Sequence, residues 1–261
     1  MKTMDEDIIS EIKKDYIYAL SEKGEREDGR APDQYRDISI ENGVVNTAEG
    51  SAYVKIGDTK VLVGIKLQPG EPFPDTPDKG VLITNVELSP LASPTFEAGP
   101  PRDDAIELAR VVDRGIRESG ALELSKLCIE EGVKVWMVFI DVQVIDYDGN
   151  LIDAASLGAI SALLNAKLPN ERYGLGKDVP LPVSDLPVAV TVMKIGKKFI
   201  LDPNLDEEQA ASTKLTVISN KDGSLAGMQK SGAGTLSPDE VYHIVEMACK
   251  TAKDIRKRFL K

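Results

Sequence analysis

The stretch LDPNLDEEQAASTKLT, residues 201–216, gathers four carboxylates, Asp202, Asp206, Glu207 and Glu208, and then places Lys214 six positions past the last of them. Carboxylates at such spacing can hold a divalent cation or exchange a proton with a leaving group. An ammonium in the same cluster works against the first of these roles. A second group with chemical potential is cationic. Arg110, Arg114 and Arg117 are spaced by four and three, which puts them on one stripe of a helix, and Arg102 precedes them in a loop. Such a stripe suits phosphate, although Glu107 and Glu118 stand where intrahelical pairs with Arg110 and Arg114 would make it an ordinary solvated face.

Other reactive types are sparse. His243 is the single histidine and lies in VYHIVEMACK, which reads as a helix with His243 beside core positions. The two cysteines, Cys128 and Cys249, lie far apart with no CxxC or CxxH near them and read as small buried hydrophobes. No P-loop, GxGxxG or nucleophile elbow is present, which disfavours an unrelated small-molecule α/β enzyme. Lys194, Lys197 and Lys198 read as solvated hairpin residues, and the terminal KDIRKRFLK as a cationic helix end. The net charge of -11 repels nucleic acid on average, so any RNA contact must be local.

The elements that would position these residues are legible from periodicity. With 261 residues and 42% apolar content the chain can bury a sizeable core. Residues 4–23 read as an amphipathic helix with Ile8, Ile9, Ile12, Tyr16 and Leu20 at helical spacing. From Ile38 the period becomes two. Ala52, Val54 and Ile56, then Val61, Val63, Ile65 and Leu67, flank a Gly57-Asp58 turn. VLITNVEL (81–88) is a further strand, and SPLASPTFEAGPPRDD is a long loop, too proline-rich for regular structure. A helix over about 103–119 follows, with Ile106, Ala109, Val112 and Ile116 toward the core and Gly120 closing it. KVWMVFIDVQVIDYDG (134–149) reads as a strand covered on both faces, turning at Asp148-Gly149 into the alanine-rich helix LIDAASLGAISALLNAKL. After a proline-rich stretch at 169–187 come two hairpins, turning at Gly196-Lys197 and Asp222-Gly223. The last helix has Ser237 as N-cap, Pro238 at N1, and Asp239 and Glu240 in its first turn. The N-terminus lacks a signal-peptide pattern and no stretch reaches membrane-spanning length, so a soluble, cytoplasmic protein is expected.

Taken in order, GSAYVKIGDTKVLVGIK (50–66), the proline-rich loop before an arginine-bearing helix, DGNLIDAASLGAISALLN (148–165) and the acidic stretch after VAVTVMKIGKKFILD resemble the RNase PH family of phosphate-dependent 3′ exoribonucleases. GPPRDDAIELARVVDRGIRESGALEL and the added N-terminal helix look most like the non-catalytic RNase PH-like subunit of archaeal exosome cores. The resemblance implies an α/β (α+β) fold of ribosomal protein S5 domain 2-like βαβα units. On this reading residues 1–29 form a helical extension and 30–261 a single RNase PH-like domain.

The resemblance also sets a chemical test. Active members open a helix with D-G/A-G-T/S-R to grip phosphate, and carry D-L-x-x-x-E-D-x-x-G-x-x-D, whose later aspartates serve catalysis and metal binding. Laid on Asp153 to Leu157, the first pattern keeps a hydroxyl at Ser156 but has Leu157 for the arginine. Laid on Asp202, the second has Glu208 and Lys214 at the two catalytic aspartates. The expectation is a degenerate site, with no catalytic residue, metal or cofactor in this chain. Inorganic phosphate and Mg²⁺ would be used by a catalytic homologue with which it forms a ring of three heterodimers, topped by RNA-binding cap subunits. Arg110, Arg114 and Arg117 would contact RNA. Two alternatives compete: an autonomous nuclease using Ser156, Asp202, Glu208 and Lys214, and a scaffold whose arginines never meet RNA.

Overall fold

The computed structural model describes residues 4–260, with side chains from residue 11 onward. In chain order the elements are α1 (Met4–Lys23), β1 (Ile38–Asn42), β2 (Gly50–Ile56), β3 (Thr59–Gly70), β4 (Val81–Leu88), α2 (Asp103–Glu118), β5 (Cys128–Glu130), β6 (Lys134–Asp146) and α3 (Leu151–Leu164). There follow β7 (Lys167–Leu168), β8 (Val179–Pro180), β9 (Val188–Ile195), β10 (Lys198–Leu201), α4 (Leu205–Ala210), β11 (Thr213–Ser219), β12 (Leu225–Ser231) and α5 (Pro238–Phe259). The mixed α/β class expected from the sequence is what the chain adopts.

A first sheet runs β1-β2-β3-β6-β4, with β5 added to β6; a second runs β10-β9-β11-β12. All pairings are antiparallel except β4 with β6, which α2 connects as a crossover. The β2–β3 hairpin turns at Gly57, whose φ of 57° explains the glycine. Between the sheets lies α3, packed on β2 and β3 on one side and β9 on the other. Every residue from Ile152 to Leu163 is buried. Its small side chains let the layers close. At Gly158 a Cβ would stand 2.6 Å from Val63 Cγ2, so even alanine is excluded without movement of β3. One hydrophobic cluster joins Val54, Val63 and Ile140 of the first sheet to Val190 and Val217 of the second through Ile160 of α3. At α5 Ser237 is the N-cap as read, and it completes a capping box in which its hydroxyl accepts from the Glu240 amide.

Several expectations need correction. In β6 only one face is fully buried; Met137, Phe139, Asp141 and Gln143 on the other are half-exposed. The face of α1 is also different: Ile12 and Tyr16 are 65% and 52% exposed, and the helix docks through Ile17 and Ser21, while the side chains of Ile8 and Ile9 lie outside the described residues. In α2 the core stripe is Ala105, Leu108, Val111, Val112 and Ile116, rotated so that Ile106 is exposed. Cys128 and Cys249 are half-buried free thiols, and His243 is exposed against the ring of Phe199 at 5.6 Å. Lys194 is not a free hairpin lysine but pairs with Glu240 at 2.6 Å. Within the cationic end of α5, Arg256 is buried and donates to the Leu186 and Ser219 carbonyls, each at 2.7 Å. Among the described residues no helix is long and apolar enough to cross a membrane.

Candidate functional site

The acidic stretch starts at the end of β10, where Asp202 adopts φ 45° and is fully buried. Its carboxylate accepts from Arg36 (backbone N 2.8 Å, Nη2 2.8 Å), Arg30 Nη1 at 3.0 Å and Asn150 Nδ2 at 2.7 Å. Burial alone would raise its pKa, but the hydrogen bonds and charge of Arg36 hold it below the usual carboxylate range. α4 then begins with Asn204 as its N-cap and Glu207 closing a capping box. Glu207 is buried and bidentate with Arg26, at 2.8 and 2.6 Å. Asp206 faces outward and pairs with Lys13 of α1 at 3.0 Å. Three of the four carboxylates are therefore taken up by arginines and a lysine of the N-terminal region.

Glu208 is the one that reaches a site. One oxygen accepts from the Tyr147 hydroxyl at 2.6 Å; the other accepts from the Asn150 amide at 3.2 Å and lies 3.6 Å from Lys214 Nζ. The Tyr147 hydroxyl is pushed up by burial first and by the Glu208 charge second, so it remains a proton donor. These groups, with Phe96, Asp104, Glu107, Leu151 and Ile152, line a cavity of about 200 Å³. Glu208 and Lys214 are thus brought together, as the resemblance implied.

Ser156 and Leu157 are not brought to that cavity. α3 starts at Leu151, after Asn150 in a left-handed conformation, so residues 153–157 already lie inside the helix. Leu157 is a core residue at 3% exposure, and Ser156 Oγ is buried without a partner. Asp153 is also structural: its carboxylate accepts from the Tyr35 hydroxyl, the Thr191 amide at 2.9 Å, the Thr191 hydroxyl at 2.8 Å and Asn150 Nδ2 at 2.9 Å. Burial raises its pKa to about 6. A helix grips an anion with its free first amides. A D-G/A-G-T/S-R pattern that uses those amides fits Asp148-Gly149-Asn150-Leu151-Ile152 rather than the residues five positions later. Gly149 fits, since φ is 80° and a Cβ would stand 2.6 Å from the Pro203 carbonyl oxygen. In this register Leu151 replaces the hydroxyl and Ile152 the arginine. At that helix start the Asn150 amide donates to Glu208.

Phe96 and Tyr147 stack at 5.2 Å on the wall of this cavity. The two rings come from a loop and a strand end far apart in the chain.

On the other side of α2, Arg110, Arg114 and Arg117 line a groove of about 800 Å³ between α2 and β4, together with Thr84, Glu87 and Asp113. All three arginines are exposed. Their partners differ. Arg117 is held by Asp113, with Nε at 3.0 Å and Nη2 at 3.2 Å, and also donates to the Leu82 carbonyl. Arg114 Nη2 donates to Gln229 Oε1 at 2.7 Å. Among the described residues Arg110 forms no ion pair. Neither expected pair within the helix, Glu107 with Arg110 or Arg114 with Glu118, forms. Arg102 in the preceding loop pairs with Glu97.

Comparison with known proteins places the chain. The sequence profile of the 3′ exoribonuclease family, domain 1, matches residues 34–169, and that of domain 2 matches residues 185–251. The exosome complex component Rrp42 of Methanocella arvoryzae is 66% identical over 98% of both chains, and that of Archaeoglobus fulgidus is 53% identical over 98% of this chain and 99% of the relative. Among solved structures, a chain of the Archaeoglobus fulgidus exosome with RNA bound to the active site superposes with a TM-score of 0.94 at 52% identity, covering 97% of this chain and 99% of that one. A chain of an archaeal exosome core superposes with a TM-score of 0.92 at 48% identity, covering 99% and 100%. With both family profiles matched in order and relatives of this identity spanning the whole fold, the chain belongs to the RNase PH family of 3′ exoribonucleases.

Proposed function

We propose that this chain is the non-catalytic subunit of an archaeal exosome core, a phosphate-dependent 3′ to 5′ exoribonuclease complex. It pairs with a catalytic RNase PH-like homologue in a ring of three heterodimers that carries RNA-binding cap subunits. The family supplies the reaction class, and the similarity to exosome chains supplies the assembly. The observation that carries the silence of this chain is the start of α3. Phosphorolysis requires inorganic phosphate held beside the scissile phosphodiester. Here that helix end offers Leu151 and Ile152, and Glu208 takes the Asn150 amide. Without the hydroxyl and the arginine of active members, that helix end has no side chain to grip a phosphate. Lys214, at the place of a metal-binding aspartate, forms an ion pair with Glu208 and opposes a divalent cation. Phosphate and Mg²⁺ belong to the partner.

Arg110 and Arg114 supply RNA-phosphate contacts that hold the strand without reading its sequence. Arg117 contributes least, because Asp113 neutralises it.

The test is phosphate-dependent shortening of single-stranded RNA by this chain, by its catalytic homologue, and by the two mixed. Nucleoside diphosphate release only or chiefly in the mixture is expected. Robust release by this chain alone would overturn the reading.

A further inference from the structure

The two arginines of the stripe that no carboxylate neutralises are not equivalent, and the difference lies in a strand of the second sheet. Gln229 in β12 sits between α2 residues of opposite charge. Its Oε1 accepts from Arg114 Nη2 at 2.7 Å, while its Nε2 donates to Glu107 Oε1 at 3.2 Å. Ser231, two residues on and on the same side of β12, donates its hydroxyl to the same Glu107 oxygen at 2.7 Å. Glu107 is thus satisfied by two neutral donors and Arg114 by a neutral acceptor. Glu107 and Arg114 are two turns apart on one face of α2, and the amide bridges them without letting their charges cancel. At Arg117 the same helix shows the alternative, where the carboxylate of Asp113 takes both donors and the net charge is lost.

We propose that Gln229 is a positioning residue for RNA: it holds the Arg114 guanidinium against β12 while leaving its charge available to a phosphate. This rests on the reading of Arg110 and Arg114 as phosphate contacts. An amide suits the task because it fixes one N–H and competes weakly with a phosphate for the others, whereas a carboxylate would hold them by charge. The bridge also ties α2, in the first matched family segment, to β12, in the second, so the RNA-facing stripe depends on how the two sheets are docked.

The test is the affinity of the assembled complex for single-stranded RNA as a function of salt, with R114A, Q229A, Q229E and the double variant R114A/Q229A in this chain. R114A is expected to weaken binding and to reduce the log–log salt slope by about 0.7 for each RNA phosphate that is no longer neutralised. Q229E, which has the same shape, is expected to reduce the slope as R114A does, because the new carboxylate neutralises the guanidinium. Q229A frees Arg114 but leaves its charge, so binding weakens roughly threefold with the slope kept, and adding Q229A to R114A changes nothing further. Assembly size and melting temperature of each variant complex report on folding. If R114A weakens binding while Q229E keeps the wild-type slope, or if Q229A costs as much in the R114A background, the positioning role is overturned. If R114A itself binds as the wild type does, the phosphate reading of Arg114 falls and the proposal with it.

Discussion

Asp153 shows how a residue of catalytic type becomes a fixture of the fold. Its carboxylate is 2% exposed and collects donors from Tyr35, Asn150 and Thr191, yet burial still lifts its pKa from 3.8 to about 6. The hydrogen bonds lower the pKa and burial raises it, and burial wins. The folded state therefore binds this proton more tightly than the unfolded chain does. The stabilisation is fully present below the unfolded value and is lost as pH rises through about 6. Going from about pH 8 to about pH 5 should stabilise the wild type by about 1.4 kcal/mol relative to D153N, which has no proton to gain. Urea unfolding of both proteins across that range measures it. The comparison cancels Asp202 and Glu49, whose lowered values act only at lower pH. A constant difference between the two proteins would mean that Asp153 is not perturbed upward. At the cavity the same logic separates appearance from role. The resemblance put Glu208 and Lys214 in one site, and the end of α4 and the start of β11 do bring the two side chains close. It placed the phosphate pattern on Asp153 to Leu157 because Asp153-Ala154-Ala155-Ser156 matches the residue types of that pattern, although the Asp148-Gly149 turn already marked Leu151 as the start of α3.

At the scale of elements, the segment between α1 and β1 works as a clamp on the acidic loop. Arg26, Arg30 and Arg36 reach across to Asp202 and Glu207, and Arg26 also donates to the carbonyls of Gln34, Leu201 and Asp202. The Arg26–Glu207 pair is the deepest of these contacts, with side chains 1% and 2% exposed. Buried pairs of this kind add little over an apolar pair of the same shape, but leaving one partner alone is costly. R26M should destabilise the chain by about 3–5 kcal/mol in urea unfolding at neutral pH, and R26M/E207M should recover only part of that loss, because the carbonyls of Gln34, Leu201 and Asp202 and the Asn204 amide also lose their partners. A loss below about 1 kcal/mol in the single variant would show that Glu207 finds water or another cation. None of this clamp was legible beforehand. The partners of these arginines lie in the second half of the chain, where no local signal points back to them. The hairpins, α2 and the capped start of α5 were legible because each signal is local: alternation around a glycine turn, a proline at N1, a serine three residues before a glutamate. The exposure of Ile12 and Tyr16 was not, since helical spacing marks an apolar face without saying which stripe of it meets the protein.

The whole molecule poses a different question, since two family profiles meet in one chain whose sheets share a core. The segments matched, 34–169 and 185–251, each contribute one sheet. Neither sheet buries its inner face alone. α3 belongs to the first segment yet packs on β9 of the second, and α2 is hydrogen-bonded to β12. Removing either half would expose the apolar side of α3 or of β9 and β11, a loss of roughly 25 cal/mol for each Å² uncovered. Arg256 adds a polar tie within the second half, from α5 to the strand-leading Leu186 and to β11. This argues that the two segments unfold together, although a chain of 261 residues is long for two-state behaviour. The single tryptophan makes the test direct. Trp136 lies in β6 at 3% exposure, so its fluorescence follows the first sheet, while far-UV circular dichroism follows both sheets and α5. Guanidinium unfolding of the isolated chain should give one midpoint by both probes. A fluorescence transition displaced from the dichroism transition would show that the sheets melt separately, and that contacts through α3 are too weak to couple them.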